Sequence, residues 1–279
     1  MVQVPTRQIP GVYHRRVGDI VVTALSDGYL DGTVDVLQNI ASDDALRMLN
    51  ENFRPGRRTS VNCYAVFSAG RLALIETGSG DYLLPTAGKL QQNLAAAGID
   101  PAAVERVLLT HMHPDHSAGL TDPKTGQKLF PNAELVVHEN EPRHWHDDAA
   151  MAKASERAKQ LYFQCAREQM APYHNVMHTF TGAVEVFPGV TSVPLHGHTP
   201  GHSGYMISSG KESLLIWGRH RACAGHSDSP PRGDDRIRHR SARRGCDTEA
   251  TARQGGGRST TGRRHAYALP RLCTCDSPG

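Results

Sequence analysis

The chain has no apolar run long enough to cross a bilayer, and Met1 to Arg16 lacks the apolar core of a secretory signal. Both absences lead to the expectation of a cytoplasmic protein with no membrane partner. Cysteine is scarce. Only Cys63 and Cys165 precede Gly218, too few for a disulfide framework and without zinc-finger spacing, so both read as buried thiols. Lysine is missing altogether beyond Gly218, where thirteen Arg face six acids for a net charge of +7; with a total of +3, the preceding body carries −4. Large apolar residues are nearly missing there too. Ile237, Tyr267, Leu269 and Leu272 cannot bury enough surface to offset the entropy of ordering such a segment.

What the chain does hold is an ordinary globular composition, with 38% hydrophobic residues and 27 glycines. Short strand patterns occur at Ile20 to Leu25, Val61 to Phe67 and Leu72 to Ile75. A helix is expected from Leu84 to Ala97, closed by Gly98, with Asp100-Pro101 capping the next turn. Further on, a strand at Glu134 to Val137, one long helix from Pro142 to Met170, and strands near Val184, Val190, Gly204 and Leu214 complete the pattern. Strands in runs with intervening helices indicate sheets covered by helices, an α/β (α+β) class.

The densest chemistry lies in Thr110-His-Met-His-Pro-Asp-His-Ser-Ala-Gly-Leu120, which places His111, His113, Asp115 and His116 within six residues. Neutral imidazoles suit zinc and similar divalent ions, and an ionised Asp adds a harder oxygen ligand. In an extended segment His111 and His113 project to the same side and can grip one ion. Pro114 then turns the chain, and the adjacent Asp115 and His116 point elsewhere, which serves two neighbouring ions better than one. The run Val107 to Thr110 reads as a buried strand, so these side chains fall where a strand leaves a core. A second cluster, Leu195-His-Gly-His-Thr-Pro-Gly-His202, offers His196, His198 and His202 on a glycine-rich turn. By contrast, His144 and His146 diverge on a helix and read as solvent-facing or pocket residues, as does His138, while His174 and His178 carry no assignment.

These two motifs resemble the metallo-β-lactamase superfamily, whose His-x-His-x-Asp-His signature stands at residues 111 to 116 and whose Gly-His-x-x-Gly-His turn stands at 197 to 202. Leu74-Ile75-Glu76-Thr77-Gly78 agrees except that Glu76 replaces the usual Asp. The stretch Gly18 to Gly28 and the phrase Leu195 to His202 are most similar to the branch of methyl parathion hydrolase and acyl-homoserine lactonases. The motif-level likeness covers residues 11 to 218. The resemblance implies an αββα sandwich and hydrolysis of ester, lactone or organophosphate bonds in a small-molecule substrate through a metal-bound hydroxide. It implies Zn2+ as cofactor, two ions in the intact family, with Mn2+ or Fe2+ as substitutes. His111, His113 and His198 would hold the first ion. Asp115, also the candidate catalytic residue, and His116 would begin the second site, with His202 and Glu76 supporting them. A monomer and a homodimer are both compatible with the sequence.

Two expected ligands, an Asp shared between the ions and a closing His, are missing after Gly218. The domain expectation is therefore an incomplete superfamily domain at 1–218 and a basic tail at 219–279. A nucleic-acid-binding arm is disfavoured by the lack of interleaved aromatic residues, and Cys223, Cys246, Cys273 and Cys275 lack paired ligand spacing. A shifted reading frame accounts for the tail better. With Arg as CGN, the codons of Arg219-His-Arg221 read one base downstream permit Asp-Ile-Val. Those of Arg264 to Arg271 permit Gly-Met-His-Met-His-Phe-Pro-Gly, which returns an Asp and a His where the family places them. One ion or fewer is then expected here. The alternatives are a non-catalytic truncated product with residual metal binding, or an iron-dependent oxidoreductase on the same fold.

Overall fold

The computed structural model describes residues 9–218 apart from 36, 38, 39 and 55, so the tail at 219–279 lies outside the described residues. The chain opens with β1 (Val12–Val17) and β2 (Ile20–Gly32), continues through α1 (Ser42–Glu51), and returns along β3 (Arg57–Ser68) and β4 (Arg71–Ile75). Next come α2 (Leu90–Ala96), β5 (Arg106–Leu108), the one-turn α3 (Pro114–Ser117) and β6 (Glu134–His138). A helical stretch follows, comprising α4 (Asn140–Trp145), α5 (Asp148–Lys153), α6 (Glu156–Ala158), a π-helical turn at Lys159–Gln164 and α7 (Cys165–Met170). The described chain ends with β7 (Met177–Phe180), β8 (Glu185–Phe187), β9 (Val190–Pro194), β10 (Ser203–Ser209) and β11 (Glu212–Ile216).

Seven strands form one sheet in the order β1-β2-β3-β4-β5-β6-β7, and four form a second in the order β11-β10-β9-β8. The first four strands are an antiparallel meander, whereas β4 through β7 run parallel. Ala69 (φ +50°) and Gly70 (φ +74°) form the tight β3–β4 hairpin turn, whose twist matches that of the flanking strands. Parallel strands need crossovers, and here each crossover delivers its loop to the carboxyl end of the sheet.

Alternation along the strands divides the core. Leu72, Leu74, Val107, Leu135 and Val137 face α2 and α7 in one buried cluster, while Ala73, Ile75, Leu108 and Val136 face the second sheet in another. The described layers are thus helix, sheet, sheet, and they match the expected α/β sandwich. Every buried member of the inter-sheet cluster among the described residues lies on a strand. No helix among the described residues is long and apolar enough to cross a membrane.

Two expected helices are shorter than the apolar pattern suggested. The one foreseen from Leu84 starts only at Leu90, because Gly88 adopts φ +75° and a Cβ there would lie 2.3 Å from the Gly80 carbonyl. The long helix from Pro142 to Met170 is broken instead into segments. Asp147 caps a new start by accepting from the Ala149 and Ala150 amides, and Ser155 caps another through Ala158. β1, α1 and β7 were not foreseen.

A bulge in β2 between Ser26 and Gly28 turns Asp27 inward. Its fully buried carboxylate accepts from the amides of Ser79, Gly88 and Leu90, which pins the loop between β4 and α2. Burial pushes the Asp27 carboxyl up, against those amides, which hold it down.

Candidate metal centre

The strand-to-turn junction after β5 forms because apolar Val107 to Leu109 must stay in the core while the histidines leave it. His113 keeps an extended conformation (φ −67°, ψ 153°), and Pro114 at the first helical position starts α3 at once. His111 is fully buried and His113 nearly so. The second turn, between β9 and β10, brings His198 across: His111 Nε2 lies 3.1 Å from His113 Nδ1, which lies 2.9 Å from His198 Nε2. One nitrogen from each of the three rings falls within a sphere of mutual separation below 4.8 Å, the one such cluster found among the described residues.

The donor set fits a borderline cation. Nitrogens bound to one tetrahedral zinc at about 2.0–2.1 Å stand about 3.3 Å apart, close to the observed spacings. Thr110 Oγ1 lies 2.9 Å from His111 Nδ1, leaving Nε2 to face the other rings. Burial, then the neighbouring imidazoles, hold His111 well below its ordinary pKa, so the ring is neutral as a ligand must be.

Asp115 and His116 do not join that triad. They form a separate corner in which His116 Nδ1 is 3.0 Å from Glu76 Oε2 and His116 Nε2 is 3.3 Å from Asp115 Oδ2. Burial opposes a charge on His116, but the two carboxylates outweigh it and raise its pKa to about 10. Glu76 is itself buried at the end of β4 with a left-handed backbone (φ +66°), and its Oε1 accepts from the Thr110 amide. His202 is buried with its ring 5.0 Å from that of His111, and its Nδ1 lies 2.9 Å from the Leu195 carbonyl of its own turn.

His196 is exposed and stacks near His138, ring centroids 5.0 Å apart, rather than joining the triad. His144 packs on Trp145 and Phe163. His146 and His174 line a shallow, open cavity of about 310 Å3 together with Pro142, Met177 and Thr179. His178 pairs with Glu134 at 3.3 Å.

Sequence reasoning missed two features of the centre. The π-helical turn brings Tyr162 over His113, ring centroids 4.8 Å apart, beside Trp145 at 5.5 Å. Such turns shift the register of a helix and concentrate at functional sites. The other is the buried carboxylate of Glu141 on α4, bonded to both histidine-bearing turns.

A family model described as the metallo-beta-lactamase superfamily matches residues 56–250. The chain belongs to that superfamily. The matched region runs past Gly218, further along the chain than the motifs alone carried the likeness. Among solved structures, a hydrolase of the beta-lactamase superfamily, AbOPH, superposes with a TM-score of 0.69 at 29% identity over 76% of this chain and 74% of that one. AidC, a dizinc quorum-quenching lactonase solved with a product, shares the fold at a TM-score of 0.67 and 24% identity, over 74% and 73% of the two chains. An atrochrysone carboxyl ACP thioesterase from Passalora fulva is 31% identical over 160 residues, which are 57% of this chain and 35% of the relative. The chain spans less than half the length of the curated relatives it matches.

Proposed function

We propose that this superfamily member is a metal-dependent hydrolase of small-molecule esters, thioesters, lactones or organophosphates, with His111, His113 and His198 as the ligands of its cation. The observation that carries this reading is the convergence of three imidazole nitrogens on one point at the carboxyl end of the parallel strands. The relatives support the reaction class, since a thioesterase and a hydrolase both act by adding water.

A zinc ion held by three neutral imidazoles supplies Lewis acidity and brings water toward ionisation near neutral pH. The protein's own contribution is placement. Thr110 orients His111, and the His202–Leu195 contact closes the turn that carries His198. Tyr162, half-buried over His113, is placed to meet the apolar arm of an acyl or aryl substrate, with Trp145 packed behind His113 in the core. Asp115, with a carboxylate oxygen 3.3 Å from His116 Nε2, would be the proton acceptor during hydrolysis.

The test uses the full chain, loaded with zinc and offered p-nitrophenyl acetate, an acyl-homoserine lactone, an acyl thioester and an aryl phosphotriester. Turnover of at least one, abolished by a chelator, returned by zinc and lost in His198→Ala, is the expected result. Absence of metal-dependent turnover on all four would overturn the proposal. A second reading, metal binding without catalysis, draws on the separation of Asp115 and His116 from the triad; the same assay with stoichiometric zinc but no turnover would favour it.

A further inference from the structure

We propose that Glu141 is a positioning residue that locks the two histidine-bearing turns together and so sets the affinity of the triad for its cation; this rests on the metal reading above. Glu141 sits in the first turn of α4, directly after β6, and its side chain is wholly buried. Each carboxylate oxygen serves one arm of the centre. Oε2 accepts from the amide of Met112, the residue between His111 and His113, at 3.0 Å, and from Trp145 Nε1 at 2.8 Å. Oε1 accepts from the Gly201 amide at 2.8 Å and from the Thr199 hydroxyl, in the turn that begins at His198.

Four donors therefore meet one carboxylate, and they come from segments 29 and 60 residues away in sequence as well as from α4 itself. Two are backbone amides, which side-chain replacement cannot remove, so the bonds fix main-chain positions next to His111, His113 and His198. A cation needs those three rings held at a common spacing, and hydrogen bonds of this kind decide how much ordering remains to be done when it binds. Gly201 shows how closely the turn is fitted: a Cβ there would lie 2.9 Å from Glu141 Cγ, Oε1 and backbone nitrogen. A buried carboxylate with four neutral donors is also costly to desolvate, an expense hard to justify for packing alone where an apolar side chain would serve.

Glu141→Gln separates the arms. The amide keeps one acceptor oxygen but places an NH2 group against the donors of the other arm, so one histidine turn is released. The measurement is zinc affinity of the full-length protein by competition with a chromophoric chelator, beside a thermal melt of the metal-free form. Glu141→Gln should weaken zinc binding about ten- to hundredfold. Val17→Ala, a core truncation on β1, should lower the melting temperature while leaving zinc affinity unchanged, a separation that a merely structural role for Glu141 would not give. If Glu141→Gln does not fold, Thr199→Val and Thr199→Ser decide: the first should weaken zinc binding and the second restore it. Zinc affinity within about twofold of the parent in Glu141→Gln, or in Thr199→Val where the first does not fold, overturns the proposal, since positioning partners of a metal site ordinarily move affinity more than this. A parent protein that binds no zinc would instead overturn the metal reading beneath it.

Discussion

His111 and His116 stand five positions apart in the chain and 4.1 Å apart ring to ring, yet their surroundings drive them in opposite directions. Burial and the other imidazoles around His111 both push its pKa down. Around His116 there are Glu76 and Asp115, and its proton is held despite burial. One ring is pushed toward its neutral form and its neighbour toward its charged form. The lesson is that a run of histidines does not define a single site. Burial and the groups placed around each ring set the direction in which its pKa moves.

The largest test of that contrast completes the weaker corner. If the nucleotide sequence shows a base lost or gained near Gly218, restoring the frame should replace Arg219 with Asp and return a His near the C-terminus. The repaired protein should bind about two ions instead of one and hydrolyse its substrate faster by orders of magnitude, since paired ions stabilise both attacking and leaving oxygens. Codon usage suited to the present frame, with no gain on repair, would instead favour a tail that belongs to the family as it stands, in keeping with a family match that reaches residue 250.

Removing the stronger corner comes next. His111→Ala combined with His113→Ala deletes two of three converging nitrogens, and stoichiometric zinc should vanish from elemental analysis of the folded protein. Zinc content equal to the parent would remove the triad assignment.

A smaller effect should show that the corners are energetically separate. Glu76→Gln takes a charge partner from His116 but keeps an acceptor for Thr110, so unfolding in chelator should require about 1.5–3 kcal/mol less, the worth of a hydrogen bond to a charged group. Zinc affinity at the triad should hardly move. A large loss of zinc affinity would mean that the two corners act as one.

Asp27 offers the mildest test, because there burial wins instead. Its folded pKa lies above the ordinary 3.8, so the native state binds the proton more tightly than the unfolded chain. Its contribution to stability is therefore most favourable in acid and declines as pH rises from about 3.8 through the folded value. Denaturant unfolding of the parent and of Asp27→Asn across that window should show the gap between them narrowing or reversing in the direction of Asn as pH rises. A gap that widens in favour of Asp27 would contradict the sign.

Much of this was readable from sequence because the decisive residues are neighbours in it. His111 to His116 lie on one turn, and the strands around Leu74, Val107 and Val136 carry the apolar runs that a two-faced sheet requires. Glu141 was not readable, since its meaning arises only where Met112 and Gly201 arrive from distant segments. Tyr162 escaped for another reason: the extra residue of a π turn changes which side chain faces the centre, and no periodicity rule anticipates that. The break of the Pro142 to Met170 helix was legible in part, for Asp147 and Ser155 are good capping residues, but the apolar pattern ran through them.

The switch from antiparallel to parallel strands at β4 also orders events in time. The β1–β2 and β3–β4 hairpins close through tight turns and should form early, whereas β5, β6 and β7 wait on long crossovers. His113 and His198 are 85 residues apart, so the triad assembles only after both sheets have met. A cation arriving then cannot hasten the rate-limiting search; it slows escape from the native state. Added zinc should leave the refolding rate unchanged and lengthen the lifetime of the folded protein.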